Sequence, residues 1–364
     1  MYIDSIELKD FRNYEELKLK LNRGTNIFYG NNAQGKTNLL EAVYMGGTSK
    51  SHRSSGDRET IRFGKDEAHI KINFTRRDVP QRIDMHIKKN KPKGIALNGI
   101  PIKRASELFG IINIIFFSPE DLAIIKNGPS ERRRFIDMEL CQLNKIYVHD
   151  LISYNSILRQ RNKLLKEYYD PKDSLMLDIY DEQLCDFGKR IIASRDKFIK
   201  RLNSIIREKH HMLTGGREEL SIFYEKNTDE EDFESELKRS RASDIRQHTS
   251  LTGPHRDDIR FIINDIDIRH FGSQGQQRTA ALSLKLSEIE LVEELTNDTP
   301  VLLLDDVLSE LDSERQKFLL NAIKNVQTLI SSTGTDEFIN NNFHMDEIFY
   351  VNSGKVIRGE TNVY

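Results

Sequence analysis

At residues 30 to 37 the chain reads Gly30-Asn31-Asn32-Ala33-Gln34-Gly35-Lys36-Thr37, and this stretch decides the fold. It matches the pattern G-x-x-x-x-G-K-[ST] at every fixed position. The strand-like run NIFY precedes it, and the helix-like run TNLLEAVYM follows it and is expected to end at Gly46-Gly47. Glycines allow a tight turn that presents backbone N–H groups to phosphate oxygens, and the helix N-terminus adds a favourable dipole. The stretch therefore predicts a phosphate-binding loop between a strand and a helix.

Two side chains at the end of this loop have defined tasks in nucleotide binding. Lys36 is expected to bridge the β- and γ-phosphates of ATP, and the Thr37 hydroxyl is expected to hold Mg²⁺. The residues from Gly30 to Thr37, together with Asn38, form the predicted nucleotide-binding set. The alternative is a glycine-rich turn formed by chance, and the flanking strand and helix argue against it.

A second feature supports the same site from the far end of the chain. Val301-Leu302-Leu303-Leu304 is a continuous apolar run, typical of a central parallel strand, and it ends in Asp305-Asp306. A carboxylate at the carboxyl end of such a strand points into the nucleotide crevice. We therefore expect Asp305 to bind Mg²⁺ through water and Asp306 to orient or deprotonate the attacking water. The alternative is a strand followed by an ordinary acidic turn, which the phosphate-binding loop disfavours.

Composition places the chain among globular proteins. It has 364 residues, of which 37% are hydrophobic and 31% are charged, and this length favours two lobes. The sequence contains no apolar run of about eighteen residues, and its acidic N-terminal stretch lacks the features of a signal peptide. Cys141 and Cys185 form no disulfide framework and have no metal-ligand spacing. These features predict a cytoplasmic protein with no membrane contact.

The formal net charge of −2 argues weakly against nucleic-acid binding, because proteins that bind nucleic acids are often basic. This average hides two local clusters of basic residues. One cluster comprises Lys88, Lys89, Lys91 and Lys93, and the other comprises Lys126, Arg132, Arg133 and Arg134. Each cluster is either a solvated surface or a contact for DNA phosphates, and the sequence leaves both possibilities open.

The sequence pattern divides the chain into three stretches. Residues 1–118 are rich in strand-like runs, and strands and helices alternate again over residues 217–364. Residues 119–216 carry apolar residues at helical spacing, with Ser130 as the expected cap of the first helix. A turn at Tyr169-Asp170-Pro171-Lys172-Asp173 is expected to divide them into an antiparallel helical hairpin. We therefore predict an α/β protein in which residues 1–118 and 217–364 form one lobe and residues 119–216 an inserted helical lobe.

A third motif indicates the subclass of ATPase. Ser273-Gln274-Gly275-Gln276-Gln277-Arg278 precedes the helix-like run TAALSLKLSEIELVEEL, and alone it is only a capped helix start that favours anions. Its position shortly before VLLLDD is informative, and Ser309-Glu310-Leu311-Asp312 follows that strand. The order of these motifs resembles the ATP-binding-cassette (ABC) class. The resemblance implies that Ser273, Gly275 and Gln276 close over ATP held by a partner subunit, so that a homodimer sandwiches two nucleotides.

Within this class the sequence resembles the RecF family over nearly the whole chain. Four stretches carry the resemblance: IDSIELKDFRNYEE near the N-terminus, FFSPEDLAIIKNGPSERRRFID in the centre, LTGPHRDDIRF at residues 251–261, and the segment from Gly272 through VLLLDDVLSELD. The phosphate-binding loop is common to many ATPases, whereas the FSPEDL and GPHRDD blocks are specific to the family. Residues 150–245 match by helical pattern only.

The resemblance assigns roles to several further residues. Ser118-Pro119-Glu120 lies where many ABC ATPases have a glutamine loop, but no glutamine is present there. Asp306 stands where many have glutamate, and its shorter side chain implies slow hydrolysis. Thr333 stands near the position of a histidine in many relatives and is expected to bond the γ-phosphate. Arg12 and Asn13 either approach the nucleotide or form a plain surface turn.

The GPHRDD block is assigned a structural or interface role in preference to a catalytic one. This assignment concerns His255, Arg256 and Asp257.

The resemblance also implies a function. RecF proteins bind double-stranded DNA and single-strand/double-strand junctions in an ATP-dependent way. They act in DNA repair and replication and in the SOS response, with RecR and RecO, and help RecA to load at gaps. A homodimer closed by ATP would gather basic residues from two subunits on DNA, and weak, DNA-stimulated hydrolysis would release it.

Three alternatives remain. One is the nucleotide-binding subunit of a membrane transporter, which the helical insertion and the family-specific blocks disfavour. Another is an SMC-like ATPase head of chromosome structure, whose coiled-coil arms are far longer than this insertion. The third is a P-loop ATPase of unrelated role.

Overall fold

A computed structural model describes residues 1–53, 56–167, 172–334 and 344–359. The chain divides into two compact units. The first unit contains Met1–Asp121 and Glu288–Tyr364, and the second contains Leu122–Ser287. The first unit is therefore built from both ends of the chain.

An antiparallel sheet forms one layer of the first unit. Its strands are β1 (Tyr2–Phe11), β2 (Tyr14–Lys20), β4 (Glu67–Arg76), β5 (Val79–Lys88), β6 (Lys91–Leu97) and β7 (Ile100–Pro101), in the order β2-β1-β4-β5-β6-β7. Alternate residues of β4, such as Ile70 and Ile72, are buried in the core, while the residues between them point to the opposite face. This alternation is typical of a sheet with one covered face.

A mostly parallel sheet forms another layer of the same unit. Its strands are β3 (Thr25–Tyr29), β8 (Ile114–Phe117), β12 (Val301–Asp305), β13 (Thr328–Ser332), β14 (Glu347–Asn352) and β15 (Lys355–Arg358), in the order β15-β14-β3-β13-β12-β8. Only β15 is antiparallel to its neighbour. All five residues of β12 are buried, as its continuous apolar run predicts.

Two α-helices of the first unit are α1 (Lys36–Thr48) and α9 (Ser313–Ala322). Helix α1 was predicted to end at Gly46-Gly47, but it continues through both glycines to Thr48, and Ser49, whose φ is 62°, is its C-cap. Packing explains the glycines, because a Cβ atom at Gly46 would lie 2.1 Å from Ile72 Cδ1. At Gly47 it would lie 2.5 Å from Ile114 Cδ1. The helix thus closely approaches a strand of the antiparallel sheet and a strand of the parallel sheet.

The second unit is mainly helical. Its helices are α2 (Leu122–Lys126), α3 (Pro129–Leu143), α4 (Lys145–Lys166), α5 (Lys172–Leu213), α6 (Phe233–Gln247), α7 (Ile268–Phe271) and the first part of α8 (Gln274–Thr296). A three-stranded antiparallel sheet contains β9 (Leu220–Glu225), β10 (Asp258–Ile263) and β11 (Ile266–Asp267) in the order β11-β10-β9. Helices α4 and α5 pack together and form the predicted hairpin.

Two details of the predicted helical stretch were wrong. The first helix begins with Pro129 after Gly128, so Ser130 lies inside the first turn and is not the N-cap. Proline suits this first position because its missing N–H has no helical acceptor there. The helical stretch also breaks at Asn144, whose side chain accepts hydrogen bonds from the backbone N–H groups of Ile146 and Tyr147. The start of the predicted turn at residues 169–173 lies outside the described residues.

The compact units differ from the lobes predicted from sequence. The predicted boundary after residue 118 lies close to the observed division after Asp121, whereas residues 217–287 group with the helical unit. Strand β9 packs along α5, and β10 pairs with β9 and contacts α3. The assignment of functional lobes stays a prediction. Over the described ranges, no helix is both long and apolar enough to cross a membrane.

Candidate active site

The loop from Gly30 to Thr37 connects β3 to α1 and needs glycine at two positions. Gly30 has a φ of 148° and Gly35 a φ of 119°, and other residues rarely adopt either value. A Cβ atom at Gly30 would also lie 2.3 Å from the carbonyl oxygen of Val351. The loop conformation therefore depends on the glycines that define the sequence motif.

Lys36 is the first residue of α1, and its amine folds back into the loop. The amine donates hydrogen bonds to the carbonyl oxygens of Gly30 at 2.5 Å and Asn31 at 2.9 Å. Burial lowers the pKa of this amine, while the negative charges of Asp306 and Asp305 oppose the shift. The cationic end of Lys36 thus lies among the loop carbonyls and in the field of two carboxylates.

The three central strands bring Thr37, Asp305 and Ser331 together. Strand β13 lies between β3 and β12 and is parallel to both, so all three carboxyl ends meet at one edge of the sheet. There the hydroxyl of Thr37 donates to Asp305 Oδ1 at 2.8 Å, and the hydroxyl of Ser331 donates to the same oxygen at 2.5 Å. The sequence analysis assigned Thr37 and Asp305 to one Mg²⁺ ion, which stays a prediction, and it did not name Ser331.

The two aspartates at the end of β12 have different environments. Burial raises the pKa of Asp305, and hydrogen bonds from Ser331 and Thr37 partly offset the rise. Asp306 has a left-handed backbone with a φ of 54°, and its N–H donates to the carbonyl and hydroxyl oxygens of Ser331. A non-glycine residue in this region is uncommon and is found more often at functional sites.

The turn between β1 and β2 supports the phosphate-binding loop from outside. The amide of Asn13 donates to the carbonyl of Gln34 at 2.8 Å, and the hydroxyl of Tyr14 donates to the carbonyl of Gly35 at 3.0 Å. Asn38 donates to the side-chain oxygen of Asn13 at 2.8 Å. Asn13 therefore links the loop to the start of α1.

Arg12 lies in the same turn, but its guanidinium contacts a buried carboxylate of α1. It donates to the two carboxylate oxygens of Glu41 at 2.6 and 2.8 Å and to the carbonyl of Glu59 at 2.7 Å. Ser51 donates to Glu41 at 2.5 Å. Burial would raise the pKa of Glu41, but the hydrogen bonds from Arg12 and Ser51 outweigh it and lower the pKa. This ion pair fixes the turn to α1.

Two predicted contacts of the nucleotide lie at neighbouring strand ends. Ser118 follows β8 and is buried, and its N–H donates to Asp121 at 2.7 Å, while Glu120 is exposed. Thr333 follows β13 and is exposed. Both segments lie at carboxyl ends of the parallel sheet, where β8 and β13 flank β12. Their roles toward a nucleotide stay predictions.

The segment from Ser273 to Gln276 leads into α8, and it belongs to the second unit. The Ser273 hydroxyl accepts from the backbone N–H of Gln276 at 3.2 Å, and the Gln276 side chain accepts from the N–H of Ser273 at 3.0 Å. This reciprocal pair is a capping box. Gln276 also donates to Glu218 at 3.0 Å, and Glu218 lies 3.2 Å from the buried ring of His210. The end of α5 is thereby linked to the start of α8.

The two basic clusters are only partly exposed. Arg132 is buried and donates to both carboxylate oxygens of Asp258, so its prediction as a surface or DNA contact was wrong. The amine of Lys93 forms an ion pair with Asp57 at 2.9 Å and also contacts the carbonyl of Ser49. The basic side chains that remain exposed are Lys89, Lys91, Lys126 and Arg134, with Lys88 and Arg133 half-buried.

The GPHRDD block lies in the helical unit, where Asp257 is buried, His255 is half-buried and Arg256 is exposed. Nδ1 of His255 is hydrogen-bonded to the Tyr154 hydroxyl at 2.7 Å. Burial lowers the pKa of His255 to about 4. Asp257 is buried and bonds the guanidinium of Arg195 at 3.1 Å and the hydroxyl of Tyr224. These contacts join α4, α5 and β9, as expected for a structural role.

Comparison with known proteins identifies the family. A family model described as the RecF/RecN/SMC N-terminal domain matches residues 2–356. The DNA replication and repair protein RecF of Lachnospira eligens is 60% identical to the chain over 360 residues, covering 98% of this chain and 99% of that protein. The chain belongs to the RecF family.

Solved structures relate the RecF-family chain to ABC-type ATPases. The structure of a recombination mediator protein, RecF-ATP in the RecFOR pathway, is 36% identical, has a TM-score of 0.92 and covers 99% of this chain and 98% of its own. An SMC head bound to the C-terminal winged-helix domain of ScpA is 18% identical, with a TM-score of 0.61, and covers 100% and 98%. The second likeness concerns the fold alone. The predicted fold, an ABC-type ATPase lobe from both chain ends with an inserted helical lobe, is confirmed.

Several residues of this RecF-family site escaped the sequence analysis. Ser331 lies in a strand that was recognised, but the pattern did not reveal which serine faces Asp305. Glu41 and Glu218 were missed because each meets its partner only after distant segments fold together. Side-chain alternation along β13 leaves two neighbouring serines as candidates, and the register of β13 against β12 decides for Ser331.

Proposed function

We propose that this RecF-family chain binds ATP and Mg²⁺ at the loop from Gly30 to Thr37 and hydrolyses ATP slowly to control its hold on double-stranded DNA. The observation that carries the proposal is the hydrogen bond between Thr37 and Asp305, 268 residues apart in sequence. It joins a phosphate-binding loop to a carboxylate at the end of a central strand. In P-loop nucleotide hydrolases, these two groups together hold the Mg²⁺ ion of the nucleotide.

The donor set fits the proposed ligands. Thr37 and Asp305 offer a hydroxyl and a carboxylate oxygen, the hard ligands that Mg²⁺ prefers. When bound, Mg²⁺ neutralises negative charge on the phosphates. The amine of Lys36 can turn from the carbonyls of Gly30 and Asn31 toward phosphate oxygens, because loop carbonyls are weaker partners than an anion.

Slow hydrolysis follows from the residues near the attacking water. Asp306 is assigned to orient or deprotonate this water, and its side chain is one methylene shorter than the glutamate of many ABC ATPases. The segment Ser118-Pro119-Glu120 contributes no glutamine. We expect a turnover well below about 10 per second, the typical value for enzymes.

A second subunit would complete each site. Ser273, Gly275 and Gln276 at the start of α8 are assigned to the ATP held by a partner, so that two nucleotides lie between two protomers. Gly275 supports this assignment, because a Cβ atom there would have its nearest neighbour at 3.8 Å, an ordinary contact. Glycine weakens a helix, and none of the residues that the structure describes comes close enough to Gly275 to require it. A glycine at this position is what the close approach of a phosphate held by a partner subunit would need.

DNA would be bound by exposed basic residues of both protomers after ATP closes the dimer. The candidates that the structure leaves accessible are Lys88, Lys89, Lys91, Lys126, Arg133 and Arg134. Phosphate contacts of this kind supply most sequence-independent affinity. By family resemblance the preferred DNA includes single-strand/double-strand junctions, and the partners are RecR, RecO and RecA in the cytoplasm during the SOS response.

Binding of a labelled DNA duplex at fixed salt, with ATP, with ADP and without nucleotide, tests this function. We expect tight binding with ATP alone and its loss in Lys36→Met. Lys18→Met is the matched control, because Lys18 is an exposed lysine on β2 of the same unit. Equal binding in all three conditions, or no binding, would contradict an ATP-controlled DNA clamp. A P-loop ATPase of unrelated role would then be the better description.

A further inference from the structure

Two histidines and a glutamate lie together on the face of the antiparallel sheet that points away from the core. His69 on β4 is directly opposite His86 on β5, and Glu67 precedes His69 by two residues on the same strand. Their neighbours Ala68, Ile70 and Ile87 are buried on the other face. Because side chains alternate along a strand, all three polar residues point to one side.

The ligating atoms of these residues are already close to one another. Glu67 Oε2 lies 3.0 Å from His86 Nε2, and Glu67 Oε1 lies 3.7 Å from His69 Nε2. The two imidazole rings have centroids 3.9 Å apart. Ligands about 2.0–2.1 Å from a tetrahedral zinc ion lie about 3.3 Å apart, and the two distances from Glu67 to the imidazole nitrogens bracket this value. One ligand atom from each of the three residues lies within 4.8 Å of the others.

The fold leaves room beside this group. Gly94 on β6 is directly opposite His86, and a Cβ atom at Gly94 would have no atom of the described residues within 4 Å. A cavity of ≈ 440 Å³ extends over the sheet from here, with His69, His86 and Gly94 among its lining residues. A bound ion would therefore keep an open coordination position toward the cavity.

We propose that Glu67, His69 and His86 form a binding site for a divalent transition metal ion of the zinc type. Two imidazoles and one carboxylate are a common set of three protein ligands for zinc, with water or a substrate in the fourth position. A fourth ligand entering from the cavity would be water or an anionic group. The ion would also join β4 to β5 across the sheet.

The surrounding charges restrict the kind of ion. Lys88 lies 3.7 Å from Glu67, and Lys9 on β1 is directly opposite His69, so two cations are close to the site. Calcium and magnesium require several oxygen ligands, and a single carboxylate beside two lysines does not supply them. Imidazole nitrogen binds zinc, copper and nickel strongly enough to offset this repulsion. Lys88 is half-buried, with 40% of its side chain exposed, so its amine can turn away.

Titration of the nucleotide-free full-length chain with Zn²⁺ and with Co²⁺ tests the site. We expect one ion per chain by calorimetry and the visible absorption of tetrahedral Co²⁺. His69→Ala and His86→Ala should each weaken binding at least tenfold, on the order of what smaller changes around metal sites produce. His69→Cys should retain binding because thiolate is also a zinc ligand. His149→Ala, an exposed histidine of the second unit, is the control and should leave binding unchanged.

Melting curves in the presence of a chelator show whether each variant is folded. Variants on this exposed face should melt like the unmodified chain when metal is removed, and only the unmodified chain and His69→Cys should be stabilised by Zn²⁺. The proposal is overturned if His69→Ala and His86→Ala bind Zn²⁺ as the unmodified chain does. It is also overturned if His149→Ala weakens Zn²⁺ binding as much as His69→Ala and His86→Ala do, because binding would then reflect scattered surface histidines.

Discussion

At the residue scale, Asp305 is the point at which distant parts of the chain meet. One of its oxygens accepts from Thr37 on the phosphate-binding loop and from Ser331 on β13. Burial raises the pKa of Asp305, so the folded state binds a proton more readily than the unfolded chain. The contribution of Asp305 to the free energy of unfolding is therefore full below the unfolded pKa of its carboxyl group. It decreases as the pH rises through the higher pKa of the folded state. Because burial makes the ionised form of Asp305 unfavourable, a bound cation would stabilise it.

Ser331 is predicted to act on hydrolysis through Asp305. Ser331→Ala removes one hydrogen bond to the carboxylate and one acceptor for the N–H of Asp306, and we expect kcat to fall about tenfold, as for the loss of one hydrogen bond to a charged group. Steady-state ATPase kinetics measure the change. Ser332→Ala is the matched control, because the Ser332 hydroxyl is buried and accepts instead from Gly334. Equal effects of the two substitutions would argue against the role of Ser331.

At the element scale, the β1–β2 turn is fixed to α1 by a buried ion pair. The carboxylate of Glu41 is fully buried, and Arg12 supplies two of its hydrogen bonds. Removing one partner of such a pair leaves a buried charge without compensation. The same turn supports the phosphate-binding loop through Asn13, so the order of the turn affects the order of the loop.

Arg12→Met is predicted to destabilise the first unit. We expect a loss of about 3–5 kcal/mol in the free energy of unfolding, and partial recovery when Glu41→Gln is added. The pKa of Glu41 is lowered by folding, so this stabilisation is present above its unfolded pKa of 4.5 and is lost as pH falls through the lower folded pKa. Chemical denaturation at pH 7 and pH 4 measures both effects. An Arg12→Met chain of unchanged stability that no longer bound ATP would instead assign Arg12 to the nucleotide.

The elements themselves were largely predictable, and their ends less so. Continuous apolar strands, alternating strands and the strand-loop-helix motif depend on local pattern, and these were found in the sequence. The end of α1 was missed because Gly46 and Gly47 look like a helix stop, whereas their small size serves the packing of Ile72 and Ile114 against the helix. The break at Asn144 was missed because a capping asparagine can also lie within a helix.

At the scale of the whole molecule, the two halves of the proposed ATP site occupy different parts of the chain. The phosphate-binding loop belongs to the first unit, and the segment from Ser273 to Gln276 belongs to the second. Sequence order suggested that these segments act together, but the grouping of β9 and β10 with the helices depends on tertiary contacts that local pattern does not encode. In the proposed mechanism, each ATP site is completed by a second copy of the chain.

Mixing two inactive variants tests this central claim most directly. Lys36→Met disables the loop, and Gly275→Asp places a negative charge where a partner's phosphate would lie. Gly275→Asp is expected to fold, since a side chain has room there and an acidic residue suits the first turn of a helix. In the proposed mixed dimer, the intact loop of one chain would face the intact α8 segment of the other.

The measurement is ATP hydrolysis by each variant alone and by their equimolar mixture, with sedimentation to count dimers. We expect almost no hydrolysis by either variant alone and recovery to roughly a quarter of the unmodified rate on mixing, because half of the proposed dimers would be mixed and each would have one intact site. Full activity of Gly275→Asp alone, or a mixture that forms no dimer with ATP and recovers no activity, would contradict it.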